Sequence, residues 1–323
     1  MVAVGILVAS LAVMAQAPSR VPVVGVLAPG LPPRSTPDLS AVAFEQGLKE
    51  LGWIPGRTVR IDVRYADGEA GRLRDLAQDL VRLKVDVIVA RALPSIRVAK
   101  EATSTIPIVM SGSGQDPIRL GLVASLARPE ANITGLTLLT QDLLAKQLQV
   151  LKEVVPRLSR VTVLGSRSVP LAPKLRKDLD LAGETLGVQV QHVDIAEAGE
   201  IERAFEDMTR AKTGGVLVRG DPFILEAHAR RVAALTLKHR LPAIFWLDAY
   251  PKAGGLMAYG ADLLDVHRRS AFYVDRLLRG ARPGDLPIEE PTRLTLVLNL
   301  KTAQAIGLTV PPAVLAQASE IIQ

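Results

Sequence analysis

One strand–loop–helix unit occurs in both halves of this chain. Lys84-Val85-Asp86-Val87-Ile88-Val89-Ala90-Arg91-Ala92-Leu93-Pro94 returns in outline as Thr213-Gly214-Gly215-Val216-Leu217-Val218-Arg219-Gly220-Asp221-Pro222. An apolar strand opened by proline follows each copy: Ile106-Pro107-Ile108-Val109-Met110 and Leu241-Pro242-Ala243-Ile244-Phe245. Upstream of each, a helix end leads into a new strand: Glu50-Leu51-Gly52 before residues 59–63, and Glu184-Thr185-Leu186-Gly187 before residues 188–193. Such a repeat predicts two similar α/β lobes, and two lobes leave a cleft between them that can take a small ligand.

The length of 323 residues exceeds the usual size of a single core and agrees with two domains. A hydrophobic fraction of 48% suffices for two cores, and with aromatics at 3% those cores must be aliphatic. The net charge of +6 comes from basic residues scattered among Asp and Glu along helices. No Lys/Arg run stands beside stacking aromatics, so the charge reads as a solvated surface and no nucleic-acid partner is expected.

The chain has no cysteine, which excludes disulfides, thiolate metal sites and a lipid-modified N-terminal cysteine. Residues 2–14 form an apolar run that ends in Ala15-Gln16-Ala17, an A-x-A cleavage pattern. The run is shorter than the roughly 20 residues of a spanning helix. Residues 1–17 are therefore expected to be a signal peptide that sends the protein to the periplasm, although no Lys or Arg precedes the run. The alternative is a buried strand or helix.

Alternating apolar runs place strands at residues 23–27, 59–63, 85–89, 106–110 and 133–138 of the first half. Asp38 can cap a helix whose apolar face is Leu39, Val42, Ala43, Leu48 and Leu51, and Pro94 suits the first turn of another. The second half repeats the pattern at residues 161–164, 188–193, 215–218 and 242–246. A final helix carrying Val266, Tyr273 and Leu277 and a strand at 294–298 fit as a return to the first lobe and a crossing back. The expected fold is α/β, two similar doubly wound parallel-sheet lobes joined by a three-crossing hinge. Lobe 1 takes residues 21–135 and 261–287, lobe 2 takes 136–260 and 288–323, with Gly135, Gly260, Pro287 and Pro291 near the crossings.

Catalytic constellations are missing. The four histidines show no metal-ligand spacing, and His228, His239 and His267 read as helix-surface residues. There is no G-x-S-x-G elbow, dinucleotide fingerprint or phosphate-binding loop, so neither an enzyme nor a cofactor is expected. Ligands of open α/β sheets bind beyond the carboxyl ends of the strands. That rule nominates Pro29, Arg91, Ala92, Ser95, Ser111, Gly112 and Asp116 on the first lobe. On the second it nominates Ser166, Arg167, Arg219, Asp221, Trp246 and Tyr259. Taken singly, each is equally at home as a loop or cap residue, as Asp116 and Asp221 before prolines illustrate. Arg91 and Arg219 end repeated strands, one per lobe. If both face the cleft they predict an anionic or zwitterionic ligand, its carboxylate on Arg91 and any amino group on Asp221; the alternative turns Arg219 outward to solvent.

Several stretches resemble the TrpX-like substrate-binding proteins of ABC transporters, of tryptophan/tyrosine type. They include Leu80-Val81-Arg82-Leu83-Lys84-Val85-Asp86, Gly121-Leu122-Val123-Ala124-Ser125-Leu126-Ala127-Arg128-Pro129, Asn132-Ile133-Thr134-Gly135 and Ala253-Gly254-Gly255-Leu256-Met257-Ala258-Tyr259-Gly260. The resemblance implies a periplasmic-binding-protein fold with three interlobe crossings, an amino-acid-like solute, an inner-membrane ABC permease as partner, and a monomer. It also implies a pocket unlike a typical member's. Arg91-Ala92-Leu93-Pro94 stands where small residues and Gly-Thr-Pro are usual, and Gly165-Ser166-Arg167 stands where Trp-Asn-Pro is usual. A ligand sensor of the same fold, signalling to a membrane receptor, is the alternative.

Overall fold

The computed structural model describes residues 20–32, 37–138, 140, 143–221 and 224–323, so the expected signal segment lies outside the described residues. The chain begins with β1 (Val23–Ala28), α1 (Leu39–Glu50), β2 (Arg60–Tyr65) and α2 (Ala70–Arg82). It continues through β3 (Val87–Arg91), α3 (Ala92–Ala102), β4 (Ile108–Ser113) and β5 (Ile133–Thr137). These five strands form one parallel sheet in the order β2-β1-β3-β4-β5.

The second lobe runs through α4 (Leu144–Val154), β6 (Arg160–Ser166), α5 (Pro173–Leu186), β7 (Gln189–Ile195) and α6 (Ile201–Arg210). Then come β8 (Gly215–Val218), α7 (Ala229–Lys238), β9 (Ala243–Phe245), the short α8 (Ala249–Lys252) and β10 (Met257–Ala261). Helix α9 (Leu263–Leu278) precedes β11 (Leu294–Asn299), α10 (Leu300–Ala305), α11 (Pro312–Leu315) and β12 (Glu320–Ile322). The second sheet has the order β12-β11-β10-β9-β8-β6-β7, parallel except for the β10–β11 pair. Read from its far edge, β7-β6-β8-β9-β10 reproduces the winding of the first sheet, so the sequence repeat is a repeat of topology.

The central strands are apolar on both sides because helices cover both faces. Val24, Val26, Val87 and Val89 face α1 and α9, while Leu27, Ile88, Ile108 and Met110 face α2 and α3. In the second lobe Val161, Val163, Leu217 and Ile244 join the α4/α5 layer, and Leu164, Val216, Val218 and Phe245 join the α6/α7 layer. The buried stripe of α1 differs from expectation. It is Phe44, Gly47 and Leu48, whereas Leu39 is 61% exposed and Val42 50%. The face is set by α9, whose Arg268 carbonyl approaches Gly47 so closely that a Cβ there would overlap it.

Helix α9 follows a second-lobe strand but packs on the first lobe. Trp53 Nε1 donates to Asp275 Oδ1 at 2.9 Å, and Arg268 pairs with Glu50 at 2.7 Å. Asp262 caps its start, accepting from Leu264 N at 3.1 Å and Asp265 N at 3.2 Å. On the way back, Glu289 runs beside β5, donating to Gly135 O at 3.0 Å and accepting from Thr137 N at 2.9 Å. The chain therefore passes between the sheets after β5, after β10 and before β11. Among the described residues, no helix is long and apolar enough to cross a membrane.

Candidate ligand-binding cleft

The carboxyl ends of β1, β3 and β4 face those of β8 and β9 across a cleft. It consists of two connected hollows of about 340 and 400 Å3, which share Ala92, Gly112, Leu138, Glu226 and Trp246. One hollow is mainly apolar, with Leu93, Pro94, Val169 and Pro170. The other is apolar over most of its wall too, but it gathers the polar side chains of Asp38, Tyr65, Arg91, Ser111 and His267. Gln115 Nε2 of the first lobe donates to the Pro170 carbonyl of the second at 3.3 Å. Trp246, at the end of β9, packs into the first lobe's core cluster with Leu138 and Val266.

Arg91 is where the sequence puts it, on the cleft wall at the end of β3, but it is already paired. Its Nη1 donates to Asp38 Oδ2 at 2.7 Å, and Tyr65 Oη donates to the same oxygen at 2.6 Å. The other Asp38 oxygen caps α1, accepting from Ser40 N at 2.9 Å and Ala41 N at 3.1 Å. Burial works against this carboxylate, yet Arg91, Tyr65 and the Ala41 amide outweigh it and hold the carboxyl below its usual range. Burial and the Asp38 charge push the Tyr65 hydroxyl up to about 12.

Beside this cluster, Ser111 Oγ and His267 Nδ1 lie 2.7 Å apart, and Ser270 Oγ is 2.8 Å from Ser111 Oγ. The expectation that His267 sits on a helix surface is corrected: it is buried because α9 returns to the first lobe. Burial and then the Arg91 charge push its imidazole down to about 3, so it stays neutral near pH 7.

Pro29, Ala92, Ser111, Gly112 and Trp246 also line the cleft, as expected. Ala92 occupies the left-handed region at φ +59°, a conformation that costs an alanine about 1 kcal/mol. The remaining candidates lie elsewhere. Ser95 is wholly buried on the inner face of α3, its hydroxyl without a partner. Asp116 caps its own turn, accepting from Ile118 N at 2.9 Å, and pairs with Arg119 at 3.2 Å. Arg167 is exposed on the second lobe, and Tyr259 packs against that lobe's core.

Both arrangements considered for Arg219 are corrected. It faces neither the cleft nor solvent but is 3% exposed inside the second lobe, paired with Asp194 and donating to the Val169 carbonyl at 3.0 Å. Gly165 makes the room, since a Cβ there would collide with the guanidinium. Asp221 is occupied too. It accepts from the Ser166 and Ser168 hydroxyls and from the amides of Ile224 and Leu225, so Ser166 serves the loop instead of a ligand.

Sequence reasoning missed Glu226, which lies on both hollows. Burial, then the neighbouring Asp221 charge, raises its carboxyl to about 8. No repeat or motif marks it; only its position in the loop after a strand end could have pointed to it. The Trp246 indole N–H is buried beside it with no well-aligned hydrogen bond. The arrangement offers hydrogen-bond groups and an apolar wall, and among the described residues no nucleophile–base–orienter set lines it.

A family model described as ABC transporter substrate binding protein matches residues 37–322. A tyrosine-binding protein of Clostridioides difficile is 25% identical over 274 residues, covering 84% of this chain and 77% of that protein. The crystal structure of an ABC domain in complex with L-Trp from Streptococcus pneumoniae superposes with a TM-score of 0.83 at 25% identity, covering 93% of this chain and 99% of that one. A conserved domain protein from Vibrio cholerae gives a TM-score of 0.84 at 25% identity, covering 94% and 100%. With a family match across nearly the whole chain and two similarly wound lobes around a cleft, this protein belongs to the ABC transporter substrate-binding proteins, solute binders and not enzymes.

Proposed function

We propose that this protein is the extracytoplasmic capture component of an ABC importer, closing its lobes on one small amino-acid-like solute and delivering it to a membrane permease. The observation that carries the reading is the continuous cleft at facing strand ends, a largely apolar space with one cluster of polar side chains in its second hollow. A solute with an apolar body and a polar head fits that division. The names of the tyrosine-binding and L-Trp-bound relatives support the same class. A simple anion loses its support, because Arg219 is away from the cleft and Asp38 already neutralises Arg91.

Among the described residues three segments join the lobes, which suits a hinge whose open–closed equilibrium the solute shifts. The test is native mass spectrometry of the purified mature protein, then a thermal-shift screen of amino acids, because a ligand stabilises the fold it binds. Small-angle scattering at saturation should show a smaller radius of gyration. An unchanged radius with a bound solute overturns the hinge, and no bound or stabilising solute overturns the capture role.

A further inference from the structure

We propose that Glu226 is the subsite for a protonated amino group on the solute, which therefore carries a cationic nitrogen joined to an apolar body. This inference rests on the solute-binding reading above and narrows its ligand class. The charges lining the cleft largely cancel. Arg91 and Asp38 are paired at 2.7 Å, and His267 is neutral. Arg97 is exposed on α3 at the apolar hollow. Glu226 remains, at the junction of the two hollows, with no ion pair among the described residues.

A second observation points to the same place. Trp246 is 8% exposed, lines both hollows, and its buried Nε1 lies beside Glu226 with no well-aligned hydrogen bond. A buried indole N–H and a half-buried carboxylate without an ion pair thus stand side by side at the junction of the hollows. Such groups cost stability unless something pairs with them. An ammonium would pair with Glu226, and an acceptor oxygen on a neighbouring atom of the solute would take the Trp246 N–H.

The surroundings of Glu226 favour a cation. Asp221 on the same loop adds negative charge, and Tyr250 of α8 and Trp246 just after β9 are uncharged. Across the cleft stand the Asp38–Arg91–Tyr65 cluster and His267. On the outer side of the loop lie His228, Arg230, Arg231 and Lys252; Arg231 is committed to Glu202, and Lys252 to Asp248 and Glu320. With its carboxyl raised to about 8, Glu226 is mostly protonated at neutral pH. Amine binding then expels that proton, and affinity rises as pH approaches 8.

The test uses calorimetry and thermal shift with three probes: L-tryptophan, tryptamine and indole-3-propionate. The parent is expected to bind the two amines and not the carboxylate-only probe, more tightly at pH 8 than at pH 6. Near neutral pH, proton release should appear as a dependence of binding enthalpy on the buffer. Glu226→Gln should weaken amine binding by at least about tenfold and abolish the proton release. Its ligand-free melting temperature should stay level or rise, which a merely structural glutamate would not allow. Equal amine affinity in Glu226→Gln, or tight binding of indole-3-propionate, overturns the subsite and leaves solute capture standing. Binding of neither amine also overturns it. If a broad solute library then fails as well, the capture reading falls with it.

Discussion

Asp38 Oδ2 lies 2.7 Å from Arg91 Nη1, joining the cap of α1 to the carboxyl end of β3 across 53 positions of chain. One carboxylate therefore starts a helix, orients the cleft's arginine and cancels its charge. Asp38→Ala should cost about 2–4 kcal/mol, combining a lost cap with an unpaired, partly buried guanidinium. Urea unfolding at pH 7 checks this. Because the folded carboxyl is held below its ordinary value, this stability is present above about pH 4 and fades as pH falls through the depressed folded value. The gap between parent and Asp38→Asn should narrow from pH 5 to pH 3.

His267 should remain neutral through pH 5, its ring nitrogens giving the neutral-tautomer pattern by NMR. The unfolded chain protonates this residue below about 6.5, whereas the folded chain resists until about 3. Stability contributed above 6.5 is therefore lost progressively as pH drops across that window. A fully charged imidazolium at pH 5 in the folded protein contradicts the assignment.

Arg219→Met should destabilise the second lobe by about 2–3 kcal/mol, toward the low end for a broken ion pair because Asp194 can turn to water. Any loss of solute affinity should be small, since Arg219 does not line the cleft and reaches it only through the Val169 carbonyl it holds. Chemical denaturation and calorimetry on one sample separate the two effects. A large selective loss of affinity restores Arg219 to the binding site.

Ala92→Gly should stabilise the protein by about 0.5–1 kcal/mol, because glycine adopts φ +59° without the Cβ penalty and loses only part of that gain to chain entropy. Guanidinium unfolding measures it. A net loss of stability shows that the alanine methyl contributes packing at the cleft.

The repeated strand–helix units, the apolar central strands and the cleft at their carboxyl ends were legible in the sequence. Strand periodicity and turn residues are local properties of the backbone, and a duplicated unit must wind the same way twice. Pro29, Arg91, Ser111, Gly112 and Trp246, nominated at strand ends, line the cleft. The direction of a side chain at a strand end is decided by neighbours distant in sequence. Arg219 turns inward because Gly165 on β6 leaves a gap and Asp194 on β7 supplies a countercharge. Arg91 meets Asp38 because β1 and β3 are adjacent in the sheet. The return of α9 to the first lobe was expected, but that it turns His267 toward Ser111 of β4 is a contact no helical periodicity records. Glu226 became visible only when the lobes were assembled, since its environment is made by Asp221 and Trp246, and Trp246 reaches it from the end of a different strand.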